Sequence, residues 1–228
     1  MKKFNTNSIL VLLIIVSLVT IVGCTRHFII QPQNKACDFT VVEKFGKLHY
    51  VTVNDTRSEL DRKGQSPSAC GGGTPGVTVL GDENYHPKLL LPEIDTNLKT
   101  SIHETNLFSD ISYDSTASES EYLIRTNLDQ FYVVLNETKA EQTQACIGGV
   151  IGAAIAASID VEATTDIKIT GYLYQGNTEV WRKTVSKHIV KIDDYAKTKQ
   201  NAEAAMGEAI GEASKELITE VAKYLASK

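Results

Sequence analysis

A cysteine thiol is a nucleophile, and the residues before Cys24 specify what would react with it. Ile21-Val22-Gly23-Cys24 closes an uncharged run from Ile9 to Val22 that Ser17 and Thr20 alone interrupt, and Lys2 and Lys3 stand ahead of it. A basic start, an apolar middle and a small residue before the cut are the parts of a bacterial export signal. Small residues admit the peptide to a signal peptidase, and a cysteine at the cut predicts acylation of its sulfur instead of release. The tetrapeptide has the form of a lipobox, with Ile21 where Leu is more usual. An uncleaved anchor is the competing reading, but the run is short for a span that needs about 20 residues. Residues 1–23 are therefore read as a lipoprotein signal peptide and Cys24 as the lipidation site.

Three cysteines remain, Cys37, Cys70 and Cys146, an odd number in an oxidising compartment. Cys37 and Cys70 both lie in polar, loop-like sequence. A disulfide between them would tie the N-terminal segment to a long loop, and free thiols are the alternative, since spacing does not establish connectivity. Cys146 opens an apolar run and reads as a small buried hydrophobe. The five histidines, 27, 49, 86, 103 and 188, are scattered singly, and no Cys/His spacing suits a metal. Gly71-Gly72-Gly73 lacks the following Lys and helix N-terminus of a phosphate cradle. No serine, histidine or carboxylate constellation matches a hydrolase motif. Asp55 with Arg57 is the one polar pair worth inspecting, with a turn-stabilising role as its plain explanation. The expectation is no catalytic residue, no metal and no cofactor.

The elements that must hold these residues are legible from periodicity. Residues 24–46 read as a lipidated tether in which Phe28-Ile29-Ile30 could add an edge strand, and 47–228 as one periplasmic α/β domain. Lys47 to Val53 alternates, with Leu48, Tyr50 and Thr52 on one side, and predicts a strand stopped by Asn54-Asp55-Thr56-Arg57. A long connection follows from Ser58 to Pro87, with a short strand at Val77–Leu80. Ile94, Leu98 and Ile102 step by four on a helix that Asn106 can end in a left-handed conformation. Tyr122 to Leu135 predicts a strand whose apolar face changes parity near Gln130, the mark of a bulge. Thr165–Tyr174 and Thr178–Val190 flank Gly176-Asn177 as a hairpin, with Lys183 and Lys187 discouraging edge pairing. Asp193 or Asp194 is expected to cap a last helix whose seam is Ala202, Met206, Ile210, Ala213, Leu217, Val221 and Tyr224. The expected fold is α+β: a mostly antiparallel sheet with two helices packed on one face.

Ala145 to Ile159 is uncharged and reads as an apolar helical excursion between two strands. Gly148, Gly152 and Ala156 form a strip of small residues, and Ile147, Ile151, Ile155 and Ile159 form a ridge beside it. As a helix the run would be about 22 Å long, too short to cross a bilayer core. Two readings stand. Ile147, Gly148, Ile151, Gly152, Ile155 and Ala156 meet a membrane, a partner or a second copy, or the segment is buried in its own domain.

The mature chain resembles the YajG-like outer-membrane lipoproteins. Phe28-Ile29-Ile30-Gln31-Pro32, Val51-Thr52-Val53-Asn54-Asp55-Thr56-Arg57, Tyr122-Leu123-Ile124, Ala163 to Ile169 and Asn201-Ala202-Glu203 carry the resemblance, in element order over most of 26–225. The glycines at 71–73 and the run at 145–159 depart from it. A more distant resemblance is to auxiliary lipoproteins of transporters that move lipid between membranes. Both imply an α/β domain and supply no catalytic residues.

The formal charge is −5 over the whole chain. Removing Lys2 and Lys3 with the leader leaves 21 basic against 28 acidic side chains, a net −7. That argues against nucleic acid as a partner and against anionic lipid headgroups as the source of attachment. Anchoring then rests on acyl chains, of which two or more suffice. Thr25, where an Asp would resemble an inner-membrane retention signal, points to the periplasmic face of the outer membrane. Two functions are expected to compete: a non-enzymatic envelope scaffold or assembly factor, and a transport accessory that passes lipid or an apolar ligand. A large apolar pocket would favour transport; a filled core with a protruding 145–159 helix would favour assembly.

Overall fold

The computed structural model describes residues 27–33, 44–65, 77–86, 90–113, 120–137, 140 and 149–228. Cys24, Cys37, Cys70, Cys146, Ile147 and Gly148 lie outside them. Among the described residues the strands are β1 (Phe28–Ile29), β2 (Phe45–Tyr50), β3 (Asn54–Asp55), β4 (Thr78–Val79), β5 (Tyr85–His86), β6 (Phe108–Ser112), β7 (Tyr122–Asn136), β8 (Asp160–Gln175) and β9 (Thr178–Asp194). The helices are α1 (Glu59–Lys63), α2 (Leu90–Thr105), α3 (Gly149–Ala157) and α4 (Thr198–Ala226).

Seven strands make one sheet in the order β6-β2-β7-β8-β9, with β3 and β4 also paired to β7. The three long strands β7, β8 and β9 are antiparallel neighbours and form its frame. β2 runs parallel to both β6 and β7. Its pairing to β7 covers Tyr122 to Ile124 alone, so the chain beyond β2 continues along the same edge. The Val51 amide donates to the Ile124 carbonyl and the Thr56 amide to the Leu128 carbonyl. The polar Asn54-Asp55, expected as a stop, is therefore a second short strand, β3, paired with Asn127 and Leu128.

The bulge expected near Gln130 falls between Leu128 and Gln130. One extra residue, Asp129, shifts the parity, so Ile124 and Leu128 before it and Phe131, Val133 and Leu135 after it all face the core. Helices α2 and α4 lie side by side on that face, α4 over β8 and β9. Ile94, Leu98 and Ile102 of α2 and Ala202, Met206, Ile210, Ala213, Leu217 and Val221 of α4 are buried, as the periodicity predicts. Asn106 ends α2 at φ 51°, and the chain then enters β6, an element the sequence reading lacks.

Three further details differ from expectation. Residues 27–33 are packed into the domain, with Phe28 and Ile30 buried in the main core. Asp193 and Asp194 do not cap α4: β9 extends to Asp194, which pairs with Asp160, and a 3-10 turn at Tyr195–Lys197 intervenes. The Asp193 carboxylate is taken by Lys197 Nζ at 2.9 Å. β9 is the edge strand of the sheet, as Lys183 and Lys187 suggest, but these lysines are also engaged within the chain: they lean over α4, to Glu220 at 3.5 Å and Glu216 at 2.5 Å, with Lys191 reaching Glu208 at 2.5 Å.

Candidate functional site

Among the described residues, two polar clusters and one apolar helix stand out as places where this fold could act on something else. The first cluster surrounds Arg57, which lies two residues after the end of β3 and is 5% exposed. Its Nε and Nη2 donate to Asp55 Oδ1 and Oδ2, both at 2.9 Å. Nη1 and Nη2 donate to Asp82 Oδ1 at 3.0 Å and Oδ2 at 3.2 Å. Two carboxylates thus fill a planar fork that suits bidentate pairing. Burial works to raise the Asp55 carboxyl, but the hydrogen bonds and charge of Arg57 outweigh it and hold it below the usual carboxylate range. Burial also opposes the charged guanidinium, and the bonds to Asp55 and Asp82 more than restore it. Beneath lies Tyr85, whose phenol burial pushes far up and whose hydroxyl donates to the Leu80 carbonyl. An open cleft of about 380 Å³ borders the cluster, closed on one side by Leu90, Leu91 and Pro92. The Asp55–Arg57 pair noted in the sequence is thus brought to a third member, Asp82. The arrangement is a clamp that joins β3 to the turn before β5, with its cation spent on its own chain.

The second cluster was missed from sequence. Asp95, on α2, accepts from the Tyr50 hydroxyl at 3.0 Å and the Val53 amide at 3.2 Å, and pairs with Lys99 Nζ at 2.6 Å. Lys99 Nζ also sits 5.7 Å from the Tyr50 ring centre and 5.2 Å from that of Tyr113. Burial, then the charge of Asp95 and its hydrogen bond, push the Tyr50 phenol well above its ordinary value, so it serves as a donor. The i, i+4 spacing of Asp95 and Lys99 was the one signal in the sequence. This cluster fastens α2 to the end of β2.

The third place is α3. It is described over Gly149–Ala157, about 13 Å of helix within the 145–159 run. Ala156 is buried with Ala140 and Val161, and Ile159 and Tyr195 pack against them. Ile151 and Ile155 face the other way, 70% and 43% exposed. Gly152 falls on the helix between them. Among the described members of the strip and the ridge, Ala156 and Ile159 meet the domain, whereas Ile151 and Ile155 meet the surroundings. The Tyr195 amide donates to the Ile159 carbonyl at 2.8 Å and holds the end of this segment to the turn before α4. Among the described residues there is no group of three His, Cys, Asp or Glu that could hold a metal ion. Nor does any described helix have the length and apolarity to cross a membrane.

No family model matches the sequence and no curated protein matches it. Among solved structures, the chain is similar to a DUF330 protein from Xanthomonas campestris at TM-score 0.52 and 10% identity, covering 87% of this chain and 98% of that one. A protein from Caulobacter crescentus described as a candidate lipoprotein matches at TM-score 0.34 and 14% identity, over 59% of this chain and 82% of that one. A hypothetical protein from Chlamydia trachomatis matches at TM-score 0.45 and 8% identity, over 82% and 100%. The Xanthomonas protein shares the fold, an α+β sheet-and-helix domain.

Proposed function

We propose that this chain is a lipid-anchored envelope protein that works by contact and not by catalysis, a scaffold or assembly factor held at the periplasmic face of the outer membrane. The observation that carries this reading is the contrast between a filled core and an uncovered α3. Leu128, Phe131, Ile167, Ile169, Ile210 and Leu217 fill the layer between sheet and α4, each at most 2% exposed. An accessory that carries an apolar ligand needs room there, and side chains packed to this degree leave none. The polar clusters support the same reading, because Arg57 and Asp95 are engaged within the chain and neither presents a nucleophile with a base. Attachment comes from Cys24 and its acyl chains, the domain being acidic.

Mass spectrometry of the protein from its native envelope tests this. The expected mature terminus is Cys24 carrying acyl groups, and replacing residues 1–24 with a cleavable export leader that leaves no cysteine should shift the protein from the membrane to the soluble fraction. Lipid extracted from the purified protein should contain no stoichiometric lipid beyond the anchor. An unprocessed or unacylated terminus would overturn the anchored reading, and a stoichiometric extra lipid would overturn the scaffold in favour of transport.

A further inference from the structure

The structure places the segment that begins at His27, three residues after Cys24, and that position bears on α3. The Ile29 amide donates to Glu203 Oε1 at 2.9 Å and the Gln33 amide to the Gly207 carbonyl at 3.0 Å. The segment 27–33 therefore runs along α4 in the same direction as the helix, with His27 toward the helix start. Two extended residues cover about 6.6 Å, or about four helical residues, which sets His27 level with Lys199. Just before Lys199 is the turn Tyr195–Lys197, and α3 packs on that turn. Cys24 lies three residues before His27, a reach of at most about 11 Å. Cys24 and α3 are thus tied to one end of the molecule. At the same end β9 carries Ile192, 64% exposed, two residues before the strand finishes.

We propose that α3 is a membrane-docking helix: Ile151 and Ile155 enter the leaflet that holds the acyl chains of Cys24, and the domain stands with the start of α4 against the bilayer. The inference rests on the anchored reading for its tether. A short helix with one side packed on its own domain and an uncharged outer side suits shallow insertion of about 5–10 Å and cannot span. With a net charge of −7 on the mature chain, a zwitterionic leaflet is the surface it fits. The tether makes this contact effectively intramolecular, so two isoleucines suffice where they would not recruit a free protein.

Brominated-lipid quenching of tryptophan tests it on the acylated protein in phosphatidylcholine vesicles. Trp181 pairs with Leu173, near the hairpin at the opposite end of β8 and β9, and serves as the internal control. Its emission should be unchanged by brominated lipid. In Ile151→Trp with Trp181→Phe, the emission should be strongly quenched, with the thermal melt matching that of Trp181→Phe alone because position 151 is exposed. Ile151→Ser with Ile155→Ser should transfer between vesicles about tenfold faster than the parent. Acylated, vesicle-bound protein whose residue 151 is unquenched would overturn the docking helix while leaving the anchor standing. Unquenched residue 151 in a concentration-dependent dimer would overturn it in favour of a second copy. A protein that carries no acyl group would overturn the anchored reading and this inference with it.

Discussion

Helices α4 and α3 carry the same local surface. In α4, Met206-Gly207 and Ile210-Gly211 repeat an aliphatic residue and a small one at an interval of four; in α3, Ile151-Gly152 and Ile155-Ala156 do the same. Their fates differ. Met206 and Ile210 are buried against the main core, and the backbone of the 27–33 segment lies against Gly207 and Gly211, so close that a Cβ there would meet the Gln31 and Gln33 carbonyl oxygens at 2.2 and 2.0 Å. In α3 the chain covers Ala156, and Ile151 and Ile155 stay out. A row of small residues licenses close approach; it does not say what approaches. In α4 the approaching element comes from more than 170 residues upstream, and in α3 nothing within the described chain supplies it.

The comparison breaks first at the docked segment. If 27–33 were an appended tether, Phe28→Ala would cost little. With Phe28 fully buried, it should lower unfolding stability by about 4 kcal/mol. Urea denaturation measures that loss, and hydrogen exchange at the Gln33 amide, bonded to Gly207, reports whether the segment also opens on its own.

The Arg57 clamp is the next largest effect, and it has a sign in pH. It holds β3 to Asp82 on the closed side of the fold, so it is a measure of how far that side depends on internal pairing. Arg57→Met leaves two carboxylates facing an uncharged side chain, at a cost of about 2–3 kcal/mol at pH 7, below the range for fully buried pairs because Asp82 keeps access to water. Arg57 holds the Asp55 carboxyl below its ordinary value of 3.8. The stability from that depression is therefore fully present above about pH 4 and lost as pH falls through the folded value. Denaturation at pH 7 and again near pH 3 should find the gap between parent and variant narrowing in acid. A gap equal at both values would mean that Arg57 acts through packing alone.

Much of this architecture is legible in one sequence because it is written in local periods. The four-residue steps of Ile94, Leu98 and Ile102, the parity change around Gln130 and the Gly176-Asn177 turn each encode an element within a dozen residues. What was illegible depends on distant partners. Asn54-Asp55 has no strand-like composition and pairs because β7 offers open backbone beside it. Phe108–Ser112 has two apolar side chains in five and becomes a strand by lying next to β2. For the polar clusters, Asp55 and Arg57 are two residues apart and could be seen as a pair, whereas Asp82 lies 25 residues further on. Asp95 and Lys99 share a helix face, but nothing local joins them to Tyr50 or Tyr113. For α3, the pattern disclosed an apolar ridge and a small-residue strip, and the packing decided which of their members meet the domain: Ala156 and Ile159, but not Ile151 and Ile155.

The smallest expected effect is the one whose sign is most informative. On an isolated helix, Gly→Ala is stabilising by about 1 kcal/mol, since alanine restricts the unfolded chain and favours the helix. Gly211→Ala should do the opposite here, because its Cβ would strike a backbone oxygen, which cannot rotate aside as a side chain can. Relief requires the 27–33 segment to shift off α4, carrying Phe28 and Ile30 part of the way out of the core. Overpacking of this kind costs about 1–3 kcal/mol, so the net change should be a loss of about 1 kcal/mol, read from the urea midpoint at constant slope. Deleting residues 27–33 along with the substitution removes the obstacle, and in that background Gly211→Ala should become stabilising. A gain in the full-length chain would mean that the strand does not lie on α4 in solution, and that the small residues of α4, like the isoleucines of α3, await a cover from elsewhere.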